Sequence, residues 1–150
     1  MKFRRATEKD LPAIIKMIAQ DKLGHLREDY QLPLPDKYNK AFHNIASDPN
    51  QNLVVLENED QEIIGTLQLS LIQYLTYQGG IRAQIEAVRI RADQRGKGIG
   101  EKMFQWAIAK SKKMGAHVIQ LTTDKKRPEA LRFYEKLGFM ASHEGMKLHL

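Results

Sequence analysis

The feature that most constrains this sequence is a glycine-rich turn between a predicted strand and a predicted helix. The turn reads Arg-Gly-Lys-Gly-Ile-Gly over residues 95–100. Before it, apolar residues over 81–90 fall on both faces of the strand, as in a central strand covered on both sides. After it, helical spacing of apolar residues predicts a helix from about 98 to 113. A strand predicted over 118–122 completes a strand–helix–strand unit, which should be a right-handed crossover between parallel strands.

The chain ahead of this unit predicts an antiparallel meander. Strands are expected over 53–57 and 63–74, and turn residues separate them from each other and from the strand 81–90. The other predicted elements are strands over 3–6 and within 139–150, and helices over 8–20, 37–47 and 128–137. The fold class is therefore α/β in the α+β sense: a mixed sheet in which a meander leads into a parallel β-α-β unit, with helices on both faces.

Length and composition limit the classes of protein that the chain can form. A chain of 150 residues with 42% apolar and 28% charged residues predicts one globular domain over 1–150. Cysteine is absent, which excludes disulfides, cysteine-ligated zinc and a thiol nucleophile. The five histidines lack the spacing of metal ligands, so no metal is predicted. The net charge of +6 suits an anionic partner such as a phosphate-bearing ligand.

The sequence also indicates where the protein would work. The first twelve residues, MKFRRATEKDLP, are too charged for the apolar run of a secretion signal. No apolar stretch approaches the ~20 residues of a membrane span. A cytoplasmic protein without a membrane partner is therefore expected.

The glycine-rich turn is a candidate anion site. A helix start leaves about four N–H groups without intrahelical partners and carries roughly half a positive charge. Glycines allow a ligand to approach these groups, and nearby Arg and Lys residues favour a diphosphate. A Walker A loop does not fit, because no Ser or Thr follows a Gly-Lys pair at the required spacing. A Rossmann fingerprint fits poorly, and a flexible basic surface turn is the remaining alternative.

The residues around this turn resemble a known family. The stretch 85–100, followed about thirty residues later by 130–139, resembles the GCN5-related N-acetyltransferase (GNAT) superfamily. The family's acyl-CoA loop is matched at Arg95, Gly98 and Gly100, and its downstream helix at Ala130, Tyr134, Gly138 and Phe139. The resemblance covers essentially the whole chain and implies a GNAT-like acyl-CoA N-acyltransferase fold that uses acetyl-CoA as cosubstrate.

By this resemblance, the strand ending near residue 90 diverges from the strand 118–122, and the thioester arm lies between them. Strand-like backbone pairing would hold the pantetheine, and N–H groups of the turn would hold the pyrophosphate. Arg127 stands where many relatives carry an Asn, so it is expected to meet a phosphate or an anionic acceptor instead. The predicted cofactor-binding residues are Val88, Ile90, Arg95, Gly96, Lys97, Gly98, Ile99, Gly100 and Arg127.

The resemblance also implies two catalytic residues. Glu86 occupies the position of the family's general base, and burial in its apolar strand would raise its pKa. The alternative for Glu86 is a structural pair with Arg82 or Arg132. Tyr134 matches the family's acid toward the departing thiolate. The alternative for Tyr134 is a core tyrosine, because Leu131, Tyr134 and Leu137 share a helical face.

The sequence therefore predicts transfer of an acetyl group from acetyl-CoA to a primary amine. Without cysteine, no acetyl-cysteine forms, and direct attack in a ternary complex is expected. The acceptor would be a small-molecule amine or a peptide N-terminus, approaching from the side of the 21–36 loop and the 74–80 turn. No nucleic-acid partner is expected, and the family resemblance allows a homodimer. The alternatives are a non-catalytic acyl-CoA sensor and, third, a basic nucleic-acid binder.

Overall fold

A computed structural model describes residues 1–21 and 24–150 of the chain. The strands are β1 (Lys2–Arg5), β2 (Gln51–Glu57), β3 (Ile63–Gln73), β4 (Ile81–Ile90) and β5 (Ala116–Gln120). The helices longer than one turn are α1 (Leu11–Ala19), α2 (Asp36–Ser47), α3 (Ile99–Lys113) and α4 (Pro128–Lys136). The five strands form one sheet in the order β1-β2-β3-β4-β5. The first four strands are antiparallel, and β5 is parallel to β4, which confirms the mixed sheet and its parallel β-α-β unit.

The chain divides into two compact units. The first, Met1–Gln120, holds the sheet with α1, α2 and α3, and the second, Leu121–Leu150, holds α4 and a C-terminal segment. The strand predicted within 139–150 is wrong, because no residue of that fully described stretch is assigned to a strand. Alternating apolar residues at 146–150 are not enough for a strand, which also needs a neighbouring backbone to bond. A single domain over 1–150 stays a prediction.

None of the helices in the described ranges has the length and apolar character needed to cross a membrane.

Helices lie on both faces of the sheet, as the sequence predicts. Adjacent residues of a strand point to opposite faces. A Cβ added to Gly65 of β3 would come within 2.9 Å of the Met103 sulfur in α3, so α3 covers that face. The next residue, Thr66, lines a cleft together with apolar side chains of α1 and α2. The two sides of β3 are therefore packed by different helices, which explains the unbroken burial of residues 64–67.

A partly buried ion cluster joins β1 to the start of α1. Arg4 donates to Asp10 Oδ2 at 2.6 Å and to Glu57 Oε1 at 2.6 Å. The Thr7 backbone N–H also donates to Asp10 Oδ2, at 2.7 Å, and the two residues form a capping box. Burial alone would raise the pKa of Asp10, but hydrogen bonds from Arg4 and Thr7 outweigh it and lower that pKa. Charge-assisted bonds therefore fix the direction in which α1 leaves the sheet.

A β-bulge in β4 explains why its apolar residues occupy both parities. Gln68 of β3 pairs with Glu86, whereas Thr66 pairs with Arg89, so β4 has one extra residue in this interval. Ala87 lies in the bulge with a φ of 52°, an uncommon value for a residue other than glycine. The extra residue reverses which side chains face α3, and the apolar alternation shifts by one position at the same point. The two-sided pattern thus marks the bulge as well as the burial of the strand.

Candidate functional site

The strands β4 and β5 separate halfway along β4. Their pairing ends at Gln84 and Gln120, where β5 ends, whereas β4 continues to Ile90. Within the Met1–Gln120 unit, the edge of β4 over 85–90 is therefore not bonded to β5. The carbonyls of Val88 and Ile90 accept bonds from side chains, Arg89 Nη1 at 2.8 Å and Arg95 Nε at 3.2 Å. The predicted pantetheine-binding residues thus lie on a strand edge that offers backbone groups.

The glycine-rich turn forms the start of α3. Gly96 and Gly98 have φ values of 75° and 72°, and Gly98 is the N-cap residue. A Cβ at either glycine would meet nothing within 4 Å, so the backbone conformation, and not crowding, demands glycine there. In the described ranges, no hydrogen bond is recorded from the N–H groups of residues 96–100 to a protein acceptor. These donors are available to an anion, which fits the diphosphate of a coenzyme.

The charges beside the turn favour an anion. Arg95, Lys97 and the glycine between them are exposed, and Lys97 Nζ donates to the Gln94 side chain at 3.2 Å. The one carboxylate directly ahead of them, Asp93, is held by Arg91 at 2.7 Å. The hydrogen bond from Arg91 lowers the pKa of Asp93 to about 2. Its negative charge is therefore paired, and the basic side chains of the turn remain available for a ligand.

Glu86 lies on the face of β4 opposite the core residue Ile85. Its side chain is exposed, and its Oε1 accepts a hydrogen bond from Gln84 Nε2 at 2.8 Å. The expectation that its apolar strand would bury it is wrong, because strand alternation sends Ile85 inward and Glu86 outward. The recorded partner is Gln84 and not Arg82. A general base at this position would exchange its proton directly with solvent.

Tyr134 lies in the last turn of α4, in the second unit. The N–H of Gly138 donates to the Glu135 carbonyl at 3.0 Å, and that of Phe139 to the Tyr134 carbonyl at 3.1 Å. Gly138 has a φ of 90°, and the Phe139 and Tyr134 rings meet edge to face with centroids 6.1 Å apart. This is a Schellman helix end with its usual apolar contact. The motif residues therefore have a structural role that also orients the Tyr134 ring.

Arg127 is the N-cap residue of α4. Its N–H donates to the Asp124 carbonyl at 2.9 Å, and its own carbonyl accepts from Ala130 at 3.1 Å. The half-buried side chain projects from a helix start, a location that suits the phosphate contact expected for it.

An aromatic pair around Arg82 was not predicted as part of a site. The guanidinium carbon lies 4.5 Å from the centroid of Tyr74 and 5.6 Å from that of Tyr77. Tyr77 also contacts His117, with ring centroids 4.9 Å apart. The sequence signal was the alternation of Arg82 with polar residues on one face of β4. The cluster was not predicted because the contact of Arg82 with Tyr77 depends on a left-handed turn at 77–79. Two of the three residues in that turn are not glycine, so the sequence does not indicate its conformation.

The described ranges, which omit residues 22 and 23, hold no group of three His, Asp or Glu side chains arranged to bind a metal. Those two residues of the predicted 21–36 loop lie outside the described part of the chain.

Comparison with known proteins agrees with this geometry. The model of the acetyltransferase (GNAT) family matches residues 20–139. The chain belongs to this family, and its activity class is acyl-CoA-dependent N-acetyl transfer.

Three relatives illustrate the match. The chain is 28% identical over 142 residues to the aminoalkylphosphonate N-acetyltransferase of Salmonella typhimurium, covering 94% of this chain and 86% of that one. A crystal structure described as a transcriptional regulator from Bacillus halodurans C-125 is 53% identical, covers 99% of each chain and has a TM-score of 0.96. A predicted acetyltransferase from Clostridium acetobutylicum, solved with acetyl-CoA, shares the fold at 23% identity and a TM-score of 0.74, covering 99% of this chain and 95% of that one.

Proposed function

We propose that the protein transfers an acetyl group from acetyl-CoA to a primary amine of a small molecule or a peptide N-terminus. The observation that carries the proposal is the row of available N–H groups over 96–100, beside the unpaired edge of β4. Acetyl-CoA supplies an activated thioester, and the amine would attack it directly in a ternary complex. An acetyl-cysteine route is closed because the chain has no cysteine.

In this proposal the glycine-rich turn binds the pyrophosphate of the coenzyme. The N–H groups of Gly96, Lys97, Gly98, Ile99 and Gly100 would donate to phosphate oxygens, and Arg95 would add a positive charge. The backbones of Val88 and Ile90 would pair with the pantetheine amides like an added strand. The carbonyls of these two residues now accept from arginine side chains, which pantetheine amides would replace. Arg127 would contact a phosphate.

Glu86 would act as the general base. A free amine with a pKa near ~10.4 is mostly protonated at neutral pH, so a carboxylate must remove a proton before attack. The exposed Glu86 side chain has one oxygen bonded to Gln84, which fixes its orientation and leaves the other for the amine or a bridging water. The Tyr134 hydroxyl would then protonate the departing thiolate, with its ring held by the helix end.

The release of free thiol from acetyl-CoA in the presence of an amine panel tests this function. We expect amine-dependent release, and Glu86→Gln should lower the rate at neutral pH about tenfold or more. The loss should shrink at high pH, where more of the amine is already neutral. Glu59→Gln, an exposed carboxylate in the turn between β2 and β3, is the matched control and should keep the wild-type rate. An unchanged rate for Glu86→Gln would remove Glu86 as the base.

Two other functions would give different results. A non-catalytic sensor would bind acetyl-CoA but release no thiol with any amine. Nucleic-acid binding is favoured by the net charge of +6 and by the 53% identical relative, which is described as a transcriptional regulator. It would appear as DNA retention that falls steeply with salt. The homodimer that the family resemblance allows stays a prediction, which analytical ultracentrifugation tests.

A further inference from the structure

Arg82 occupies an unusual environment on the face of β4 that also carries Glu86. Its guanidinium packs against the rings of Tyr74 and Tyr77, which restrict it to one plane. Tyr77 belongs to the turn Thr76–Gly79 and has a φ of 53°, followed by 58° at Gln78. Two successive non-glycine residues in the left-handed region are strained, and such strain is concentrated at functional sites.

The positive charge of Arg82 lacks a counterion within residues 1–21 and 24–150. Among the described residues, no carboxylate forms an ion pair with it within 4.0 Å. In the described part of the chain, its buried Nε has no hydrogen-bond partner, and Nη1 makes only a long contact of 3.5 Å to Gln120 Oε1. A half-buried guanidinium is costly without a partner, whereas its planar fork binds phosphoryl and carboxylate groups through two parallel bonds. The aromatic rings align such a fork without neutralising it.

The position of Arg82 relative to Glu86 suggests which molecule supplies the anion. Both residues point to the same face of β4, with Gln84 between them, because side chains alternate along a strand. Their Cα atoms are therefore about 13 Å apart along the strand. The side chains of Arg82 and Glu86 are long, so the gap between their charged groups can be spanned by a small molecule. An amine near Glu86 would thus carry its other end toward Arg82.

From these contacts we infer that Arg82 binds an anionic group on the acetyl acceptor, so that the acceptor is a primary amine bearing a phosphoryl, sulfonate or carboxylate anion. The inference rests on the proposed function, because Glu86 and the acceptor amine define the other end of the site. Arg82 is then a specificity-determining residue and takes no part in proton transfer.

A matched set of amines tests the inference. The probes are 2-aminoethylphosphonate, β-alanine and the neutral propylamine, compared by kcat/KM. Wild-type protein should prefer at least one anionic amine over propylamine by about ten- to a hundredfold, the range for a charge-assisted bond. Arg82→Gln should bring that ratio close to one. Preference for both anionic amines would indicate that Arg82 accepts any anionic group. Preference for the phosphonate alone would indicate that it selects a phosphoryl group.

Two variants separate binding from structure. Arg82→Lys keeps the charge but lacks the fork, so it should retain only part of the preference. Lys113→Gln, which removes an exposed positive charge at the end of α3, should keep the wild-type ratio. If Arg82→Gln does not fold, the Arg82→Lys ratio alone decides, and a ratio equal to that of wild type overturns the inference. A wild-type protein without anion preference overturns it as well.

A binding experiment keeps this test independent of turnover. Protein saturated with coenzyme A is titrated calorimetrically with 2-aminoethylphosphonate and with β-alanine. Wild type should bind one of them at least about tenfold more tightly than Arg82→Gln does. Equal affinity, or no binding of either amine by wild type, overturns the role of Arg82. Absence of thiol release with every amine would instead overturn the proposed acetyl transfer, so the two failures are distinguishable.

Discussion

Two glycine-containing motifs of this chain use the same backbone geometry for opposite purposes. In the turn over 95–100, Gly96 and Gly98 have φ values of 75° and 72°. Within the described ranges, the N–H groups of residues 96–100 donate to no protein acceptor. At the end of α4, Gly138 has a φ of 90°, yet its N–H and that of Phe139 donate to carbonyls of the preceding helix. One motif leaves donors open to a ligand, and the other satisfies them internally.

The two motifs differ because one lies at the start of a helix and the other at the end of a helix. A helix start has free N–H groups, so a left-handed glycine there can present donors to an anion. A helix end has free carbonyls, so a left-handed glycine there turns the chain back to bond them. We therefore expect changes in the turn to weaken coenzyme binding, and changes at the helix end to act on stability and on the orientation of Tyr134.

The largest expected effect concerns the hydroxyl of Tyr134. Tyr134→Phe should lower kcat about a hundredfold, because it removes a proton donor to the thiolate. The ring contacts with Phe133 and Phe139 remain, so the melting temperature and the KM for acetyl-CoA should stay near wild type. Steady-state kinetics and thermal unfolding measure both quantities. If Tyr134→Phe keeps the wild-type kcat, the motif at the end of α4 has a structural role only.

Next in size is the effect of Gly98→Ala on acetyl-CoA affinity, measured by calorimetry. The left-handed conformation costs an alanine about 1–2 kcal/mol, and the new methyl group would face the bound phosphates, so a loss of about tenfold is expected. Gly115→Ala is the matched control, because Gly115 has a φ of 81° and open space around its Cβ at the other end of α3. If the two variants lose the same affinity, the turn has no special role in binding.

At the helix end, the expected effect is on unfolding. Gly138→Ala should lower the free energy of unfolding by about 1 kcal/mol in urea denaturation, because alanine must adopt the same left-handed φ. Acetyl-CoA affinity should remain within about twofold of wild type. A variant with wild-type stability but weakened acetyl-CoA binding would reverse the roles that the comparison assigns.

The smallest expected effect is electrostatic. Asp93→Asn removes a negative charge just ahead of the turn and leaves Arg91 paired with Glu62 alone, which should raise acetyl-CoA affinity about twofold at low salt. The gain should vanish at high salt because exposed charges are screened. It should also be constant from pH 5 to 9, since the pKa of Asp93 is lowered to about 2 and the carboxylate is charged throughout. A gain that titrates within this range would point to another group.

Much of the fold was predictable because it depends on local patterns. The strand 81–90 and the helix after the turn agree closely with Ile81–Ile90 and Ile99–Lys113. The predicted strand 118–122 is instead Ala116–Gln120, since β5 pairs with β4 directly after the glycine that ends α3. A strand within 139–150 was not formed, because alternation describes faces but does not supply a partner edge.

The candidate site was predictable only in part. The turn over 95–100 could be recognised because its glycines, together with the downstream motif at 130–139, resemble the GNAT family. The exposure of Glu86 could not, because neighbouring apolar residues suggested burial although alternation turns it away from the core. The environment of Arg82 requires the hairpin register and the left-handed turn at 77–79, which tertiary contacts determine. Its role as an anion-binding residue is therefore an inference from structure alone.

The central claim is that the N–H groups at the start of α3 bind the coenzyme. Amide chemical shifts of ¹⁵N-labelled protein, followed during titration with coenzyme A, test it directly. The account predicts large, saturable shifts at Gly96, Gly98 and Gly100, with much smaller changes at Gly115, whose amide already donates to the Lys112 carbonyl. Saturable binding of coenzyme A that leaves the three turn amides unshifted would contradict it.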